Sequence, residues 1–127
     1  MHADDFQHWL DGYVSAWRSY DPEKIGALFS EDAVYRWHPW DVDDDVAVGR
    51  SAIVDAWLDD QDEPGSWTAE YRPFALDGER GVAVGVSRYL GGSGEPEREY
   101  HNVFLCRFDG DGRCAEFTEL YAQRPTD

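Results

Sequence analysis

One carboxylate, Glu119, stands inside an otherwise uncharged stretch, Phe117-Thr118-Glu119-Leu120-Tyr121, among Phe117, Leu120 and Tyr121. Such a charge faces solvent, pairs with an arginine, or lines a cavity. In a cavity, desolvation disfavours the charged form and lifts the pKa toward neutrality, which suits a general acid or base. The stretch is the second arm of a hairpin whose first arm, residues 100–108, is separated from it by Asp109-Gly110-Asp111-Gly112. Glycine supplies the positive φ that such a turn needs, and the aromatic and branched arms favour a half-buried pleat.

Register then decides what Glu119 meets. Pairing Phe108 with Arg113 sets Cys106 against Ala115 and Cys114 against Arg107, so the two thiols point to opposite faces and stay reduced. In that register Tyr100, Asn102, Phe104 and Cys106 share a face with Ala115, Phe117, Glu119 and Tyr121, because side chains alternate along a strand. This face reads as a pocket wall: apolar, with Asn102 and Glu119 as convergent polar groups. His101, Val103, Leu105 and Arg107 fall on the other face. A one-residue bulge would instead bring His101 opposite Glu119, while opposing Arg107 to Arg113.

Other residues offer chemistry at lower specificity. His38, beside Pro39 at a strand end, is a neutral imidazole base, a partner for Glu119 across the cavity mouth, or a loop residue. Trp17, Trp37, Trp40, Trp57 and Trp67 supply surface for a flat, apolar ligand, although aromatic residues at helical spacing also build cores. The acidic runs at residues 41–45, 59–60 and 62–63 lack the oxygen spacing of an EF-hand and read as solvated loops. Gly91-Gly92-Ser93-Gly94 has no following Lys and helix, so it is a hairpin tip or pocket lid and no phosphate loop. With no cofactor fingerprint and no metal-ligand spacing, neither a cofactor nor a metal is expected.

These side chains must be carried by elements that the pattern also predicts. Asp4 or Asp5 caps a helix whose buried stripe is Phe6, Trp9, Leu10, Tyr13, Val14 and Trp17, ending near Ser19 or Tyr20. Asp21-Pro22 starts a short second helix with Ile25, Leu28 and Phe29 inward. Residues 33–38 form a strand. Gly49-Arg50-Ser51 leads into a third helix carrying Ile53, Trp57 and Leu58, which closes before Pro64-Gly65. Strands at 67–76 and 82–89 precede the hairpin. Helices first and antiparallel strands afterwards give an α+β fold, with three helices on one face of a strongly curved, mainly antiparallel sheet around a conical cavity.

The chain has 127 residues, enough for one core, so residues 1–127 are expected to form a single domain. Its 27 acidic and 11 basic side chains give a net charge of -16, which repels phosphate backbones and anionic lipids. Nucleic acid and membrane are therefore excluded as expected partners. No run of about 18 apolar residues spans a bilayer, and the start lacks the pattern of a signal peptide, so a cytoplasmic protein is expected.

Three stretches, Tyr20-Asp21-Pro22-Glu23-Lys24-Ile25-Gly26-Ala27-Leu28-Phe29-Ser30-Glu31-Asp32-Ala33, Gly49-Arg50-Ser51-Ala52-Ile53 and Phe108-Asp109-Gly110-Asp111-Gly112-Arg113, carry a family resemblance. In this order and spacing they resemble the nuclear transport factor 2-like superfamily, in its SnoaL-like and ketosteroid-isomerase-like branches, over roughly residues 5–122. The resemblance implies frequent dimers, here through the sheet face bearing His101 and Leu105. Counted from Gly112-Arg113, Glu119 falls where SnoaL-like polyketide cyclases carry a catalytic aspartate. Tyr13, eight residues before Asp21, has a spacing similar to that of the oxyanion-hole tyrosine of ketosteroid isomerases. A phenol there donates to a developing enolate, or is a core tyrosine tied to backbone. His38 and Phe104 occupy the positions of two isomerase carboxylates, which argues against steroid isomerisation.

Fold does not settle activity in such a superfamily. One expectation is a cofactor-free isomerase, cyclase or dehydratase with Glu119, Tyr13 and His38 as catalytic groups. Its ligand, a small apolar or aromatic metabolite, would lie against Asn102, Trp17, Trp37, Trp57, Phe104, Phe117 and Tyr121. The other is a dimeric, non-catalytic ligand-binding or accessory domain.

Overall fold

A computed structural model describes residues 1–92 and 97–126. The lid reading of residues 91–94 thus lies partly outside the described residues. The first helix, α1 (Ala3–Ser19), buries Phe6, Trp9, Leu10, Tyr13 and Ala16 along one stripe. Its cap is His2, where Asp4 or Asp5 was expected: the His2 backbone N–H donates to the Asp5 carboxylate at 2.9 Å, closing the first turn. Asp21 caps α2 (Pro22–Ala27) by accepting the Glu23 N–H at 2.9 Å, with Pro22 pre-set for the first turn.

Leu28 ends α2, and Phe29 opens β1 (Phe29–Arg36), four residues before the expected start at Ala33. The reason lies far along the chain. Phe29 pairs in parallel with Cys114, the first residue of β6 (Cys114–Gln123), and the Leu28 carbonyl accepts both the Cys114 N–H at 2.8 Å and the Trp9 indole at 2.9 Å. A two-residue strand, β2 (Ala47–Val48), pairs with β1, and α3 (Arg50–Asp59) buries Ile53 and Trp57. Then follow β3 (Trp67–Asp77), β4 (Arg80–Tyr89) and β5 (Arg98–Phe108). The six strands form one curved, unclosed sheet ordered β2-β1-β6-β5-β4-β3, antiparallel except between β1 and β6, with the helices against its inner face.

The last hairpin departs from the expected pairing. The Asp109 carboxylate takes the N–H groups of Asp111 and Arg113, and the Asp109 N–H donates to the Arg113 carbonyl, so residues 109–113 are all loop. Phe108 therefore pairs with Cys114, where Arg113 was expected. A bulge at Ala115 adds a second step, giving the pairs Arg107–Glu116, Cys106–Phe117, Phe104–Glu119 and Asn102–Tyr121. The two steps sum to an even shift, so Glu119 keeps the inward face that sequence alternation assigned to it. Cys114, ahead of the bulge, does not keep its assigned face. It is fully buried on the inner side near Cys106, and both thiols are free, which corrects the expectation of opposite faces.

Asp41 also departs from the solvated loop expected for residues 41–45. It is 7% exposed and accepts the His38 backbone N–H at 3.0 Å, which bends the chain after β1.

Tyr71 of β3 lies across Gly85 of β4, its register partner. A Cβ on Gly85 would overlap the Glu70 carbonyl and the Tyr71 ring. Gly85→Ala should therefore lower stability in denaturant unfolding by about 2 kcal/mol or more. Gly92→Ala, where a Cβ meets nothing within 4 Å, should leave it unchanged.

Candidate functional site

A cavity of about 260 Å³ opens between α1, α3 and the inner face of the sheet. Glu119 projects into it from β6, the one acidic side chain whose burial strongly raises its pKa among the described residues. Burial lifts its carboxyl from 4.5 to about 7; a hydrogen bond from Asn102 and, more weakly, the positive field of His38 act in the opposite direction. The Asn102 amide nitrogen donates to Oε1 at 3.2 Å. Oε2 has no hydrogen-bond partner among the described residues and stays available to a ligand.

Behind Asn102 stands Ser87 of β4, whose hydroxyl donates to the Asn102 carbonyl oxygen at 3.0 Å. Ser87 is 3% exposed and Asn102 5%. This bond fixes the amide orientation, so that its NH₂ faces Glu119. Ser87 is a positioning residue that the sequence reading missed. A short polar residue after Val82-Ala83-Val84-Gly85-Val86 was the signal available.

Tyr13 meets a partner that was also missed. Its hydroxyl lies 3.2 Å from that of Tyr35, and both side chains are buried. Desolvation pushes both phenols well above their ordinary value of 10, and the Glu119 charge adds to this. Both stay protonated. One hydroxyl donates to the other, which leaves one phenolic proton free for a ligand oxygen. Tyr35 is two residues from Trp37, so strand alternation places the pair on one face. Tyr71 and Tyr89 complete the phenolic wall, each also held neutral by burial.

The structure brings Tyr13, Trp17, Trp37, Trp57, Asn102 and Glu119 together on this cavity. It does not bring the other nominated residues there. Phe104 and Phe117 are 1% and 0% exposed and pack on the Tyr13 ring from below, at centroid distances of 5.3 and 5.6 Å. Tyr121 is 49% exposed and its hydroxyl meets His38 Nε2 at 3.4 Å. His38 holds Asp41 through Nδ1 at 3.2 Å and stacks on the exposed Trp40, outside the lining, so it makes no direct pair with Glu119. Trp67 is buried against Trp17, with ring centroids 3.5 Å apart. Tyr20, Asp60 and Asp62, unforeseen as site residues, form the outer end. No group of three or more metal-ligating side chains occurs among the described residues.

A larger groove of about 840 Å³ runs between α1 and β3, but its wall includes Asp11, Arg18, Lys24 and Arg72, a mixed-charge and mostly exposed set. The smaller cavity holds the perturbed carboxylate and the spare phenolic proton, so it is the candidate site.

Helices on a curved sheet around such a cavity define a nuclear transport factor 2-like pocket protein. The model of the SnoaL-like domain matches residues 10–117, and the chain belongs to that family. No curated protein matches it. Among solved structures it is similar to an NTF-2-like protein of unknown function from Burkholderia xenovorans LB400, at 14% identity and a TM-score of 0.69, covering 98% of this chain and 87% of that one. A ketosteroid isomerase-like protein from Erwinia carotovora atroseptica SCRI1043 aligns at 15% identity and a TM-score of 0.67, over 97% of each chain. An LEH-like epoxide hydrolase of M. tuberculosis aligns at 14% identity and a TM-score of 0.67, over 94% of this chain and 84% of that one. At these identities the likeness is one of fold.

Folding raises the pKa of Glu119, so the folded protein holds a proton that the unfolded chain has released between pH 4.5 and 7. Stability from this group therefore falls across that window, by roughly 3 kcal/mol, and is level above it. Glu119→Gln should match the wild type in denaturant unfolding at pH 4.5 and exceed it by roughly that amount at pH 8. A variant that is less stable at pH 8 would contradict a desolvated Glu119.

Proposed function

We propose that this chain binds a small, largely apolar molecule in the Glu119 cavity and moves a proton next to a carbonyl, as an isomerase, cyclase or dehydratase does, without a cofactor. The observation that carries this reading is the carboxylate of Glu119, raised to about 7 and held at one oxygen only, facing phenols that stay protonated. As a carboxylate, Glu119 takes the α-proton of a bound ketone through Oε2. The C–H pair of electrons becomes the new carbon–carbon π bond as the carbonyl π pair moves onto oxygen, and the resulting enolate accepts the spare proton of the Tyr13–Tyr35 pair as a hydrogen bond. Glu119 then returns the proton to carbon or to a leaving oxygen. Asn102 holds the carboxylate, Ser87 holds Asn102, and Trp17, Trp37 and Trp57 shape the apolar walls. His38 acts through its field and not by contact. The two free, buried cysteines suit a reducing compartment such as the cytoplasm.

The test is exchange of the α-protons of 2-tetralone in D₂O, followed by NMR. The rate should rise tenfold per pH unit up to about 7, the Glu119 value, and level off above it. Glu119→Gln should slow exchange by about 100-fold or more, and Tyr13→Phe by about tenfold. Exchange that is catalysed but indifferent to Glu119→Gln would refute the assignment. Tight binding of the ketone with no catalysed exchange would make this a binding domain.

The opposite sheet face supports pairing with a second copy of the chain. Val84 and Val86 of β4, Val103 and Leu105 of β5 and Leu120 of β6 form an apolar strip that no element of this chain covers among the described residues. The ion pairs Arg88–Glu99 and Arg107–Glu116 frame it, so each end offers both signs of charge to a twofold-related copy. Sedimentation should show a dimer that Leu105→Glu converts to a folded monomer. A wild-type monomer at high protein concentration would end this part of the reading.

A further inference from the structure

The two ends of the cavity differ in chemistry, and the outer end narrows the ligand class. There Asp62 is partly buried, and its Oδ2 accepts the Trp17 indole N–H at 3.0 Å and the Tyr20 hydroxyl at 3.5 Å. The Asp62 backbone N–H returns a bond to the Tyr20 oxygen at 2.8 Å. The carboxylate is thus oriented by neutral donors but not neutralised: no Lys, Arg or His among the described residues pairs with Asp62 or with Asp60 beside it. The cavity lining itself contains no Lys, Arg or His.

The walls between that end and Glu119 are aromatic rings, whose negative faces attract a cation. The wall residue Tyr89 already does so on one side, where exposed Arg98 stacks 4.9 Å from its centroid. A carboxylate or phosphate entering the cavity would meet Asp60, Asp62 and Glu119 with no cationic side chain in the lining to offset them, whereas a cation would meet all three carboxyl groups and the aromatic rings. The net charge of -16 favours the same sign of ligand at long range.

We propose that the cavity takes a small organic ammonium, a protonated amine on an aromatic or apolar body, with its cationic nitrogen held at the outer end by Asp62 among the rings of Trp17, Tyr20 and Trp57. This rests on the cavity being the ligand site, and it adds the substrate class to that reading. The body of the ligand then lies toward Tyr13, Tyr35 and Glu119, so an amine and a carbonyl at opposite ends of one molecule fit both halves of the site.

The test uses three probes of similar size and different charge: 2-phenylethylammonium, 2-phenylethanol and 3-phenylpropionate, titrated at pH 7 while the tryptophan fluorescence of the wall is followed and checked by calorimetry. The ammonium should bind at least about tenfold more tightly than the alcohol, and the propionate most weakly. Asp62→Asn, near-isosteric, should erase most of that preference while leaving alcohol affinity within about twofold. Asp60→Asn, at an exposed position, should reduce it in part, and guards against a folding defect in the first variant. Equal or tighter binding of the alcohol or the propionate, or a preference that both variants retain, overturns the ammonium assignment and leaves the cavity as the ligand site. Failure of all three probes to bind at millimolar concentration overturns both.

Discussion

A carboxylate on the inner face of a sheet gives up solvation, and the rest of this chain is arranged around keeping it there. Which face Glu119 takes depends on the closure of the last hairpin. The loop from Asp109 to Arg113 shifts the pairing by one residue and the Ala115 bulge by another. Either alone would turn Glu119 toward the outer face and replace it inside by Thr118 or Leu120. Together they leave strand parity intact and let Phe104 and Phe117 pack beneath the cavity, so register decides which side chain of β6 lines it.

Around the carboxylate, polar groups are arranged by what each can donate. Ser87 orients Asn102, Asn102 donates to Glu119, and Tyr13 and Tyr35 share a bond that leaves one proton over. No buried side-chain nitrogen or oxygen lacks a partner among the described residues. Desolvation acts on the acid and the phenols in the same direction, raising every pKa, yet with opposite consequences at neutral pH. It brings Glu119 to its midpoint and moves the phenols far from theirs. One low-dielectric cavity thereby holds a group that exchanges protons beside groups that only donate hydrogen bonds.

Much of this was legible in the sequence because it rests on periodicity. The stripe on α1, the Asp21-Pro22 cap, the inward face of Glu119 and Asn102 and the α+β order follow from spacing alone. What was missed depends on contacts between distant residues. The early start of β1 follows from pairing with Cys114, the exact hairpin pairs from side-chain bonds within the loop, and the burial of Asp41 from the turn after His38. Ser87, Tyr35 and Asp62 acquire their meaning only when three elements converge, and no local pattern marks a residue as the partner of another far along the chain. His38 was drawn into the site by its type. Its neighbours Asp41, Trp40 and Tyr121 instead hold it outside the lining.

The position of β6 in the sheet has a consequence for how the chain assembles. The last of the described strands is not at an edge: it inserts between β1 and β5, and its first residue meets the Leu28 carbonyl, where α1 and α2 already converge. During synthesis β1 and β5 each expose an unpaired flank until this strand arrives, and a chain halted before it lacks Phe117 as well as Glu119. Phe117 of the cavity floor and the carboxyl of Glu119 therefore arrive together, after Phe104 and the aromatic wall have already been synthesised.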